Sequence, residues 1–126
     1  MNSERETGDV RSKVTPYGKV LGVTENRDQV RAVCEALREL DVTDVEVLEG
    51  VQGFVVLEAW QEAVSHCFLG DMEADIVQRC LDAVRQGSIV FAAVVDSETA
   101  DRAAEAARKL GASGVVYFGA AVITNY

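Results

Sequence analysis

Residues 20–49 come round again seventy positions later as residues 90–119, and this repeat constrains the fold more than any other feature. With no gap in the offset, Val20 matches Val90, Glu35 matches Glu105, Ala36 matches Ala106, Arg38 matches Arg108, Leu40 matches Leu110 and Val45 matches Val115. The local grammar repeats along with the letters. KVLGVT at 19–24 and SIVFAAVV at 88–95 read as core strands. Asn26 and Asp96 follow as N-caps, with Gln29 placed to complete a capping box behind Asn26. Val30, Val33, Leu37 and Leu40 predict a helix over 27–40, and Ala100, Ala103, Ala107 and Leu110 predict one over 97–110 at the same spacing. Asp41 ends the first helix and Gly111 the second, a residue suited to a left-handed cap. DVEVLE at 44–49 and GVVYF at 114–118 are the closing strands of the two halves.

Two βαβ halves imply an α/β chain. The expectation is an α+β sandwich of the ferredoxin-like kind, in which the halves interleave and the first strand of each lies mid-sheet. SIVFAAVV is the most apolar segment, as a central strand should be. DVEVLE alternates and reads as an edge strand, with Glu46 and the flanking acids turned to water. The halves span about 19–50 and 88–120, within one domain over 17–126, and a helical insertion fills about 51–87. In the insertion one helix runs from about Phe54 to Phe68, with a stripe of Phe54, Leu57, Gln61, Val64 and Phe68, although VQGFVVLEAW also reads as the start of a strand. The second runs from about Met72 to Gln86 behind Asp71 as N-cap, with Met72, Ile76, Cys80, Ala83 and Val84 on its apolar face. Residues 1–16 lack periodicity and read as a flexible arm, and AAVIT at 120–124 reads as a last strand.

Both sides of SIVFAAVV are apolar, while the helices of the two halves can cover only one face of the sheet. The other face needs the insertion or a partner subunit, and a homodimer burying part of it near Tyr117 or Phe118 is the expectation.

Charge narrows the partners. Twelve basic residues against twenty-one acidic ones give a net charge of −9, which repels nucleic-acid backbones and anionic membranes, and the arginines are scattered among acids. No apolar run approaches membrane-spanning length, and Met1–Val14 has no apolar h-region, so a cytoplasmic location is expected. Cys34, Cys67 and Cys80 are odd in number and set among apolar residues, as free thiols would be.

Motifs for chemistry are sparse. His66 and Cys67 are adjacent, but neighbours on a helix point about 100° apart and cannot share a ligand position. The pairs Glu35/Glu39 and Asp71/Asp75 read as solvated helix faces, and the glycines as punctuation, Gly22 marking close packing or a bulge. No catalytic, cofactor-binding or metal-ligating residue is expected, and no cofactor. An interaction surface is expected at Tyr117 and Phe118, which alternate across a strand, with His66 as a further polar candidate.

Three stretches carry a resemblance: GASGVVYFGAAVIT at 111–124, LDAVRQGSIVFAAVVDSETADRAAEAARKLGA before it, and GVTENRDQVRAVCEALRELDVTDVEVLEG in the first half. Over about 18–124 the chain resembles a group of small bacterial general-stress proteins of unknown activity, in the manner of heat-induced stress protein domains. It departs at Ser113, where that group has His, and at Ala121, where it has Trp. The resemblance implies the same fold and a part in stress physiology, and it brings no catalytic residue. The function expected is a non-enzymatic binding or interaction module acting as a homo-oligomer. The alternatives are a small-molecule-sensing regulatory domain and a small enzyme of the dimeric α/β-barrel type.

Overall fold

The computed structural model describes residues 15–65, 70–119 and 123–126. Along the chain come β1 (Lys19–Thr24), α1 (Arg27–Arg38), β2 (Val45–Leu48), α2 (Gly50–Ser65), α3 (Gly70–Arg85), β3 (Ile89–Val94), α4 (Ser97–Lys109), β4 (Ser113–Phe118) and β5 (Ile123–Asn125). The strands form one antiparallel sheet in the order β2-β3-β1-β4-β5. The chain is therefore an α+β sandwich, with the first strand of each half at its centre.

The duplication is visible bond for bond. Asn26 accepts from the Gln29 N–H at 2.8 Å, and Asp96 accepts from the Thr99 N–H at 2.8 Å. At the other end, Asp41 donates to the Arg38 carbonyl and Gly111 to the Arg108 carbonyl, both at 2.9 Å. One residue on, Val42 reaches back to the Leu37 carbonyl and Ala112 to the Ala107 carbonyl. These are the bonds of a left-handed helix stop, and Asp41 (φ 64°) and Gly111 (φ 93°) both adopt it. The central ladder runs from Lys19↔Val94 to Thr24↔Ile89. Adding seventy to the β1 residue and subtracting it from the β3 residue turns one of these rungs into the other, so the ladder maps onto itself, as across a two-fold axis.

The symmetry breaks along the whole β1–β4 ladder: the counterpart of Leu48↔Val90 would be Val20↔Phe118, yet Val20 pairs with Tyr117, one residue out before Gly22 is reached. β2 pairs with β3 as Val45↔Ala93, whose counterpart would be Val115↔Val23, yet Val23 pairs with Ser113. The register slips between Leu21 and Val23. A Cβ on Gly22 would lie 2.5 Å from Phe91 Cε2, so the strand gives up a side chain there to admit the ring.

Both sheet faces are covered by the chain itself. On one, α1 and α4 pack Val30, Val33, Leu37, Ala100, Ala103, Ala104 and Ala107 over Val20, Phe91, Ala93 and Val115. On the other, α2 and α3 pack Leu57, Trp60, Val64, Ile76, Val77, Cys80, Leu81 and Val84 over Leu21, Leu48, Val90, Ala92, Val116 and Phe118. The insertion supplies the second cover, so that face gives no ground for expecting a partner subunit.

Several boundaries and faces differ from expectation. The insertion begins as helix at Gly50, with no strand at its start, and turns Gly53 and Trp60 inward. Phe54 and Gln61 instead lie toward α3, where Arg85 sits 5.1 Å from the Phe54 ring and Gln61 donates to Gln78. Phe68 lies outside the described residues. Asp71 falls inside α3, not before it, and Met72 is exposed while Val77 and Leu81 are buried. Leu110 is exposed because α4 stops at Lys109 and the cap turns it away from the sheet. At the other end of the domain Pro16 is buried and the Thr15 carbonyl accepts from Lys19, so 15–16 belong to the folded unit and not to the arm. The strand expected at 120–124 is described from Ile123, where β5 pairs with β4.

Candidate functional site

Alternation sends Tyr117 to the α1/α4 face and Phe118 to the α2/α3 face. Phe118 is fully buried and forms no surface, while Tyr117 is half-buried against the first core. His66 and Cys67 lie outside the described residues. Cys34 and Cys80 are free thiols, and burial pushes Cys80 up to about 12, which leaves it an inert core group. Glu35, Glu39 and Asp75 are exposed, as expected of solvated faces. Among the described residues no group of three His, Cys, Asp or Glu could hold a metal ion, and no helix is long and apolar enough to cross a membrane.

The polar chemistry instead collects under the insertion, at the end where the chain enters the sheet. Lys19 opens β1 in phase with Leu21, so it points into the α2/α3 layer and is 2% exposed. Its Nζ donates to the Thr15 carbonyl at 2.6 Å and lies 5.3 Å from the centre of the Trp60 ring, within cation–π range. Burial pulls the ammonium below the ordinary lysine value, and the nearby carboxylates of Glu46 and Asp44 oppose that pull. Glu46 is thus not simply turned to water. It lies opposite Ala92 in the register and on the same face as Leu48, toward Lys19.

Two residues before Lys19, the Tyr17 hydroxyl donates to Glu73 Oε2 at 2.8 Å. The Tyr17 ring meets Phe118 edge-on, with centroids 6.0 Å apart. Glu73, in the first turns of α3, is 7% exposed, and its other oxygen, Oε1, is buried with no hydrogen-bond partner among the described residues. Leaving a buried acceptor unsatisfied costs roughly 1–3 kcal/mol, more where the group is charged. The segment Thr15–Lys19 therefore meets the insertion at two points, Lys19 against the Trp60 ring and the Tyr17 hydroxyl on Glu73.

The sequence carries a faint sign of this site. Glu73 stands in the helical stripe of Ile76, Val77, Cys80 and Val84, and Lys19 in the strand phase of Leu21. A charge in phase with a core stripe is buried or breaks the stripe. The partners stay out of reach of such reading, since Tyr17 and Glu73 are 56 residues apart.

The geometry defines a class: a duplicated α+β domain with a helical hairpin over a sheet face that holds a small buried polar cluster. No protein family, characterised protein or solved structure matches the chain.

Proposed function

We propose that this chain is a non-enzymatic, ferredoxin-like module that binds a small molecule at the buried polar cluster between the sheet and the α2/α3 hairpin. The observation that carries the reading is Glu73 Oε1, a buried acceptor beside a phenol and aromatic rings that has no partner among the described residues. Proteins hydrogen-bond nearly all their buried polar atoms, so an orphaned one calls for a partner such as a water, an ion or a ligand. This favours the small-molecule-sensing alternative over an interaction module working through Tyr117 and Phe118. The resemblance to bacterial general-stress proteins supports a cytoplasmic role in which a metabolite signals stress.

Trp60 is the chain's single tryptophan and packs against Lys19 in the layer between the hairpin and the sheet, so its emission reports on that layer. A thermal-shift screen of amines, amino acids, carboxylates and nucleotides, followed by Trp60 emission titrations of the hits, tests the proposal. At least one class is expected to raise the melting temperature and change the emission with saturation. A flat response to every class would sink it.

A further inference from the structure

The cluster's charges select a ligand chemistry. Glu73 forms no ion pair among the described residues, and its one hydrogen bond comes from the neutral Tyr17 hydroxyl. Lys19 is already directed to the Thr15 carbonyl and the Trp60 face, with Glu46 and Asp44 as its nearby counter-charges. Lys19 thus has its own counter-charges in Glu46 and Asp44, which leaves Glu73 as a buried carboxylate with no counter-charge among the described residues, in a chain that carries −9 overall. A buried carboxylate gains most from a group that both donates a hydrogen bond and neutralises it. Aromatic neighbours add to that preference, because ring faces attract cations and repel anions. Tyr17 and Phe118 supply such rings.

We infer that the ligand of this site is a small organic cation whose primary ammonium or guanidinium group donates to Glu73 Oε1, an inference that rests on the ligand-binding reading above. Glu73 is the anchor, and Tyr17 fixes it by holding the second carboxylate oxygen. Neutral donors meet the hydrogen-bond demand alone, and anions meet neither demand.

The test uses the full chain and four probes built on a short alkyl chain: n-butylammonium, n-butylguanidinium, n-butanol and butyrate, at matched ionic strength. Trp60 emission and calorimetry are read against concentration. Saturable binding of the two cations is expected, about tenfold or more tighter than of butanol, with none for butyrate. Glu73→Gln keeps the shape and removes the charge, and it should weaken cation binding by about tenfold or more. If that variant does not fold, Glu73→Asp retracts the carboxylate by one methylene and should weaken binding several-fold while keeping the preference for cations. Equal binding of butanol and butylammonium, or unchanged cation affinity in Glu73→Gln or Glu73→Asp, overturns the inference. Those outcomes leave ligand binding standing wherever another class in the screen saturates. A flat response to all four probes and to the whole screen removes both.

Discussion

At the scale of single residues, the fold turns on who gives way to whom. Phe91 is fully buried at the centre of the sheet and projects over Gly22, its partner in the central ladder. A methyl group at Gly22 would meet the ring at 2.5 Å and Val115 Cγ2 at 3.2 Å. Gly22→Ala should therefore destabilise the chain by about 1–3 kcal/mol, the usual cost of overpacking a close-packed site. The ring is the cause, so in a Phe91→Leu background the same substitution should cost much less. Chemical denaturation of the four proteins gives the coupling, and additive effects would show that Gly22 is needed for the register slip and not for the ring. The glycine itself is legible in the sequence as a site of close packing or a bulge. Both readings apply, because the ladder irregularity falls at the residue the ring overlies.

Elements follow their local signals where the signal is local. Caps, the 3-4-3 spacing and the left-handed stops at Asp41 and Gly111 lie within a few residues of what they control, and they recur at the seventy-residue offset. The inward face of α2 was less legible. Its helix is apolar nearly all round, so periodicity could not choose between Phe54–Gln61 and Gly53–Trp60; contact with Leu48 and α3 makes that choice. Lys19 and Glu73 were missed for a related reason: composition marks them as surface residues, and only the assembled layer buries them. The Ala-rich face of α4 gives a sharper test. Ala100, Ala103, Ala104 and Ala107 are all at most 1% exposed, so the helix backbone lies close to the sheet. Ala103→Leu should cost about 1–3 kcal/mol. Ala106→Leu, on a half-buried position of the same helix, should cost less, which separates packing from helix propensity. A melting temperature for Ala103→Leu at or above that of the parent protein would show that this face tolerates bulk.

For the whole molecule, the sequence stated the problem but not its solution: a sheet apolar on both sides, and helices enough in the two halves for one. The hairpin of α2 and α3 resolves it within one chain by burying Leu21, Leu48, Val90, Ala92, Val116 and Phe118. The hairpin is also dispensable to the connectivity. β2 and β3 are antiparallel neighbours, and Leu48 faces Val90 across the ladder at the end where the insertion leaves and returns. A two-residue Asn-Gly turn could join them directly. Excising residues 50–88 in favour of that turn would strip the cover and leave six large or small apolar side chains on an open sheet face, a patch that soluble monomers rarely carry. The full chain should sediment at micromolar concentration as a 13.6 kDa species. The excised form should dimerise through the bared face or precipitate, and Leu21→Lys with Val116→Glu, placed on that face, should restore a soluble single chain. If the full chain is already a stable dimer, a surface other than this face holds it. If the excised form stays monomeric without those charges, the two halves close their own core and the hairpin is there for the site alone.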